Sequence, residues 1–203
     1  MFRLRLLFIL LLFLFNCIAN AEDIKAPFGL NWGEYKDTFI KYGLKSNECN
    51  KISTKLVRCL IYKPPKDISI AREYVLYIHD NFGLQQIEMH SKFIDDDSKG
   101  NLGKETYSAY KEKLVDIYGD PVLISETVEL NKYIKVNDFY DCLKSFVCSW
   151  KAIWGSDERG TVLIGIESIE PKKGYIKIIY TSKDWITIVN ENKNIIEQDK
   201  NSL

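Results

Sequence analysis

Four cysteines, two histidines and one acidic run are the residues of this sequence whose type and spacing could do chemistry. Cys142 and Cys148 lie six positions apart in FYDCLKSFVCSW, just ahead of Trp150, and Cys49 and Cys59 lie ten apart. Paired thiols can hold a metal, cycle electrons, supply a nucleophile or clamp a loop. Structural zinc favours C-x₂₋₄-C spacing or histidines close by. Here nine and five residues intervene, and the chain has only two histidines. The C-x-x-C of a redox-active pair is absent. A clamp is the expected use of Cys142 and Cys148, provided the chain resides where disulfides persist.

The other candidates are weaker. His79 closes a strand-like stretch beside DNFG, and His90 lies on the polar side of the next stretch. Paired across a hairpin the two could approach each other, which would interest a metal, but no carboxylate at motif spacing accompanies them. Asp95-Asp96-Asp97-Ser98-Lys99-Gly100 puts acids at the first and third positions of a calcium-type loop and glycine at the sixth. Lys99 places a cation at the fifth position and Thr106 stands where a bidentate glutamate belongs, so a solvated hinge is expected. There is no G-x-S-x-G elbow. The glycines of GTVLIGIE lie in a strand pattern, not a phosphate cradle before a helix. No pair of carboxylates is singled out. No catalytic, cofactor-binding or metal-binding residue is assigned, no cofactor is expected, and a non-enzymatic protein is the expectation.

The compartment decides the sulfur chemistry, and the N-terminus indicates the compartment. Arg3 and Arg5 precede an unbroken apolar run from Leu6 to Phe15. Ala19-Asn20-Ala21 then supplies the small-x-small pattern read by signal peptidase, with Glu22 as the first mature residue. The run is short for a bilayer span, which needs roughly 20 apolar residues. A lipid-modified Cys17 is the alternative to its removal, disfavoured because Leu14-Phe15-Asn16 lack the small residues such processing prefers. Export to the periplasm or beyond, with no permanent membrane span after cleavage, is expected. Cys49, Cys59, Cys142 and Cys148 then remain, an even number in an oxidising setting. Three connectivities are open; local pairing is the simplest. Loss of residues 1–21 leaves 26 basic against 28 acidic residues, a net charge of −2. Both signs are interspersed with no basic stripe, which argues against a nucleic-acid partner.

Two segments frame these residues. FGLNWGEYKDTFIKYGLKS predicts a helix, with Asn31 and Glu34 as a capping box, Phe39 and Tyr42 at helical spacing and Gly43 as terminator. ETYSAYKEKLVDIYGDP predicts another, with Tyr107, Tyr110, Leu114, Val115 and Tyr118 on one side and Gly119 and Pro121 closing it. Strand-like stretches follow each. TKLVRCLIYK, REYVLYIHD and LQQIEMHSKF follow the first, the last with Ile87, Met89 and Phe93 on one face and Gln86, Glu88, His90 and Lys92 on a wet one. VCSWKAIWG, TVLIGIESIE and GYIKIIYTS follow the second, after an irregular stretch over 122–146 with another helix near LNKYIKVNDFYDCL. ITIV after Trp185 reads as one more strand. The expected fold is α+β: two similar helix-plus-antiparallel-sheet modules, residues 22–100 and 101–189, packed as one compact unit around a hinge at 94–103, with a polar, fraying tail over 190–203. On SWKAIWG, Trp150, Ala152 and Trp154 share a face expected in the core, yet Trp150 and Trp154 are where a partner-binding patch would first be sought.

The phrases PFGLNWGEY, YIHDNFGLQQIEM, YKEKLVDIYGDP, DFYDCLKSFVCSW and GYIKIIYTSKDW, in that order, resemble a group of small exported proteins of Gram-negative bacteria. The similarity spans nearly all of the chain after the leader. It implies a periplasmic or secreted setting and a Cys142–Cys148 disulfide, and supplies no catalytic residue. In element order alone, the chain is also similar to the tandem helix-plus-sheet modules of the beta-lactamase inhibitor proteins and of the small assembly factor of the outer-membrane protein machinery. Those are binding modules whose sheet faces meet other proteins, an analogy that does not transfer function. The leading expectation is an envelope protein that binds another protein or an envelope component through a sheet face. The alternatives are a small hydrolase or ligand-binding protein with carboxylates in an inter-module cleft, and a specific inhibitor or immunity protein.

Overall fold

The computed structural model describes residues 22–128 and 138–201. The leader, with Ala19 and Ala21 at its expected cleavage point, and the first part of the helix expected near 130–143 lie outside the described residues. Among the described residues, eight strands form one antiparallel sheet: β1 (Cys49–Lys51), β2 (Leu56–Ile61), β3 (Ala71–His79), β4 (Gly83–Ser91), β5 (Leu123–Val128), β6 (Cys148–Ser156), β7 (Gly160–Glu170) and β8 (Lys173–Thr181). Their spatial order is β1-β2-β3-β4-β8-β7-β6-β5. Two four-strand runs therefore meet through the last strand of each. With helices α1 (Asn101–Tyr118), α2 (Phe139–Lys144) and α3 (Trp185–Asn201), the fold is α+β.

One sheet face is apolar along its whole width because alternate residues of every central strand are aliphatic or aromatic. Leu76 and Ile87, Met89 and Ile178, and Ile164 and Ile178 are paired neighbours on it. All are buried. The helical spacing of Tyr107, Tyr110, Leu114, Val115 and Tyr118 lays α1 against this face: Tyr107 and Leu114 are buried, and the other three pack on the core. Asp97 starts the helix by accepting the Gly103 N–H at 2.9 Å. Gly119, at φ +75°, ends it, with its own N–H bonded to the Val115 carbonyl. An L side chain would resist that backbone conformation.

Several expectations give way to tertiary packing. The first predicted helix is a seven-residue 3₁₀ segment, Lys36–Tyr42, ended by Gly43 at φ +85°. Only Phe39 of this segment is buried, so there is no apolar stripe to reward a longer α-helix. Asn31 and Glu34 do bond each other, backbone and side chain at 3.2 Å each, but they close a turn ahead of the segment and cap nothing. The stretch read as irregular after α1 contains β5, whose half-exposed LISETV shows no alternation and is held as a strand by its ladder to β6. ITIV is helical, not a strand. Trp185 packs edge-on against Tyr77 at 5.7 Å, Ile188 is buried, and Glu191 reaches Lys55 and His79, so one side of α3 is fixed to the sheet. These contacts outweigh the β preference of Ile and Val. Most of the expected fraying tail is the continuation of this helix to Asn201.

The hinge expected at 94–103 is tied down. Ile94 exchanges backbone bonds with Gly174 at 2.8 and 3.1 Å, the Asp97 N–H reaches the Lys172 carbonyl, and Asp97 accepts the Tyr140 hydroxyl at 3.0 Å. The face of β4 expected to be wet is covered as well: Gln86 and His90 are buried.

A candidate docking surface on the open sheet face

The second face of the sheet, opposite the core, is divided. Over β3 it is met by α3 at Tyr77 and His79. Beside that contact, His90 is 7% exposed, with Nδ1 2.9 Å from Glu73 and Nε2 3.0 Å from Glu88. Burial pushes the Glu88 carboxyl up, but His90 and the Lys177 ammonium outweigh it and hold the group below its ordinary value. His79 and His90 do not meet. Their partners across the hairpin are Gly83 and Glu73, at opposite ends of β3 and β4. Among the described residues no three His, Cys, Asp or Glu side chains converge to hold a metal ion. Asp95 is paired with Lys173 at 3.1 Å, while Asp97 serves α1 and Tyr140.

Across β5–β8 the same face is different. Register places Leu123 beside Ile153, Ile153 beside Leu163, and Leu163 beside Ile179, an aliphatic stripe crossing four strands. All four side chains are at least partly exposed. One step along, Lys151 and Lys177 flank Gly165 from either side. A Cβ on Gly165 would meet only ordinary contacts: the Trp150 carbonyl at 3.4 Å, Lys151 Cβ at 3.6 Å and Leu163 Cδ2 at 3.8 Å. Neither backbone conformation nor crowding demands glycine here. Its effect is to leave a hollow between two lysines. The hollow belongs to a groove of about 530 Å³ whose lining includes Phe146, Leu163, Gly165, Lys177 and Ile179. Burial lowers the Lys177 ammonium's pKa, but Glu167, 3.2 Å away, and Glu88 raise it above the ordinary value.

The loop at the end of this groove is the one flagged by its cysteines. Cys142 and Cys148 are disulfide-bonded, as are Cys49 and Cys59, the latter directly opposite each other on β1 and β2. Local pairing is therefore the connectivity. The Cys142–Cys148 loop carries Phe146, which is 91% exposed and held at φ +57°. Its N–H bonds the Leu143 carbonyl, and the next N–H bonds the Cys142 carbonyl. A non-glycine residue in that region is strained by roughly 1–2 kcal/mol. The loop thus presents an aromatic ring to solvent at some conformational expense.

Trp150 and Trp154, expected together as partner anchors, take separate roles. Trp154 is 1% exposed and donates its indole N–H to the Gly119 carbonyl at 2.8 Å, so its ring belongs to the core and not to any patch. Trp150 is half-buried, packs edge-on against Phe139 at 5.6 Å and lines the groove. Glu22 is exposed and paired with Lys25 at 2.7 Å. Two residues on, Ile24 is buried and its N–H bonds the Arg159 carbonyl. The stripe and Phe146 are absent from the sequence reading. Phe146 could have been found as a large aromatic among the five residues between Cys142 and Cys148; the stripe depends on strand register. No protein-family model, no curated protein and no solved structure matches the chain. Among the described residues no helix is long and apolar enough to cross a membrane.

Proposed function

We propose that this protein is an exported, non-enzymatic envelope protein that binds another protein through the open half of its sheet. The observation that carries this reading is the four-strand aliphatic stripe, two of whose members, Leu163 and Ile179, share a groove with the strained, solvent-facing Phe146. A few buried anchors, aromatic ones prominent among them, supply most of the energy at protein interfaces, and contiguous exposed apolar surface marks interaction sites. Export is supported by the Arg-flanked apolar leader with Ala19 and Ala21, by the two disulfides, and by the burial of Ile24 just after Glu22. A periplasmic or secreted setting supplies the oxidising conditions that such bonds need. The likeness to small exported proteins of Gram-negative bacteria points the same way. The two four-strand runs, each preceded by a helical segment, are consistent with two related modules joined edge to edge.

Two measurements test the reading. Mass spectrometry of the exported protein, with and without reductant, is expected to give a chain beginning at Glu22 with four bridged cysteines. Crosslinking in periplasmic extract is expected to capture a partner that Phe146→Ser and Leu163→Ser lose. Capture unchanged by both substitutions, or recovery of the protein alone, would reject a docking role for this face.

A further inference from the structure

We infer that the open half of the sheet receives an acidic amphipathic helix of a partner protein, with one of its carboxylates seated over Gly165 between Lys151 and Lys177. This inference rests on the docking role proposed above and names its occupant.

Three observations carry it. The first is geometric. Leu123, Ile153, Leu163 and Ile179 stand in one row across four strands, at roughly 4.8 Å per step. A helix repeats its apolar side every 5.4 Å turn, near enough to place one side chain against each strand. The second is electrostatic. Lys144, Lys151 and Lys177 line the groove with Glu167; Lys177 is engaged by Glu167 at 3.2 Å and faces Glu88 from the neighbouring strand, so three cations meet two acids. A positive groove remains on a chain whose formal charge is zero. Gly165 separates the two lysine positions by one strand on each side, roughly 10 Å in all, and offers no side chain to fill the gap. A carboxylate there accepts from two ammonium groups, in charge-assisted bonds stronger than neutral ones. The third is internal. On the other half of this face the chain's own α3 lies against the strands, placing Trp185 on Tyr77 and the Glu191 carboxylate beside Lys55 and His79. The covered half already shows a helix, an apolar anchor and a carboxylate meeting a cation, Lys55. Among the described residues, the open half has the apolar row and the cations, and lacks the helix.

The probe is a synthetic amphipathic helical peptide of Leu, Ala and Glu, compared with its Lys-for-Glu counterpart, titrated against the full mature protein by fluorescence anisotropy. The Glu peptide is expected to bind, with affinity that falls as salt rises. The Lys peptide is expected to bind about tenfold more weakly or worse. Lys151→Glu, at an exposed position, should remove that preference without disturbing the far-ultraviolet circular dichroism. Equal binding of both peptides, lost in Leu163→Ser, overturns the acidic occupant while leaving the docking face intact. Binding that is absent, or that Leu163→Ser does not change, overturns both. Tighter binding to phosphatidylglycerol vesicles than to the Glu peptide overturns the helix in favour of a lipid surface.

Discussion

Outward positions on β3 and β4 hold His79, Glu88 and His90, under α3 or beside it, while the matching positions on β5–β8 hold Leu123, Ile153, Leu163 and Ile179 with no described element across them. Polar side chains are buried in the covered half, alongside Val75, while an aliphatic row stays partly exposed in the open half, a distribution that burial alone would not select. The polar cluster is tolerated inside because each His90 nitrogen meets a carboxylate and Glu191 meets both Lys55 and His79. The aliphatic row has no such internal reason. On the docking role proposed above, the difference separates residues that hold the fold from residues that serve something outside it.

Substitutions can break that contrast, beginning with the largest expected effect. His90→Ala removes a partner from two carboxylates at once, leaving Glu73 to Arg72 and Glu88 to Gln86 and Lys177, and should cost about 3 kcal/mol in urea denaturation; a loss under about 1 kcal/mol would make the covered half as dispensable as the open one. Ile188→Ala should cost about 2–4 kcal/mol, because its side chain is fully buried under α3. Leu163→Ala, half-exposed, should cost about 1 kcal/mol or less by the same measurement. Joint replacement of Cys142 and Cys148 by serine should cost about 2 kcal/mol from the freed loop alone. It should also loosen Phe146, seen as faster proteolysis between residues 142 and 148. Phe146→Gly should instead raise stability by about 1 kcal/mol by relieving the positive φ, while weakening partner capture.

The smallest effect is set by pH. The folded Glu88 carboxyl lies below its ordinary value of 4.5, so its contribution is present above that value and is lost as pH falls through the lowered one. The urea midpoint should therefore drop below pH 4.5 and drop less steeply in Glu88→Gln. No difference between the two slopes would detach Glu88 from the covered network.

Legibility from sequence follows the range of the forces involved. The apolar side of α1, Gly119 at its end and the β3–β4 and β6–β7–β8 strands rest on neighbours within a few residues, and each is readable as periodicity or spacing; the two disulfides are the simplest of three open connectivities. β5 and α3 are not. LISETV becomes a strand only through β6, and ITIV becomes helical only because Trp185 and Ile188 find Tyr77 and the outer face. The proposed docking surface is least readable of all. Leu123, Ile153, Leu163 and Ile179 come from four strands and become a row through register, and Gly165 gains meaning only with Lys151 and Lys177 on either side. The wet face assigned to Gln86, Glu88 and His90 failed for the same reason, since what covers it comes from other strands and from α3.

The central seam of the sheet joins β4 to β8, where Ser91 Oγ accepts the N–H of Ile176, 85 residues further along the chain. Each meander can zip up from local turns, but this closure waits for the final strand and carries the entropy of a long loop. Until it forms, β4 presents an unpaired inner edge. Threaded through a membrane in order, as the proposed export requires, the polypeptide would cross with its two halves still apart, and the last strand to arrive would be the one that fuses them.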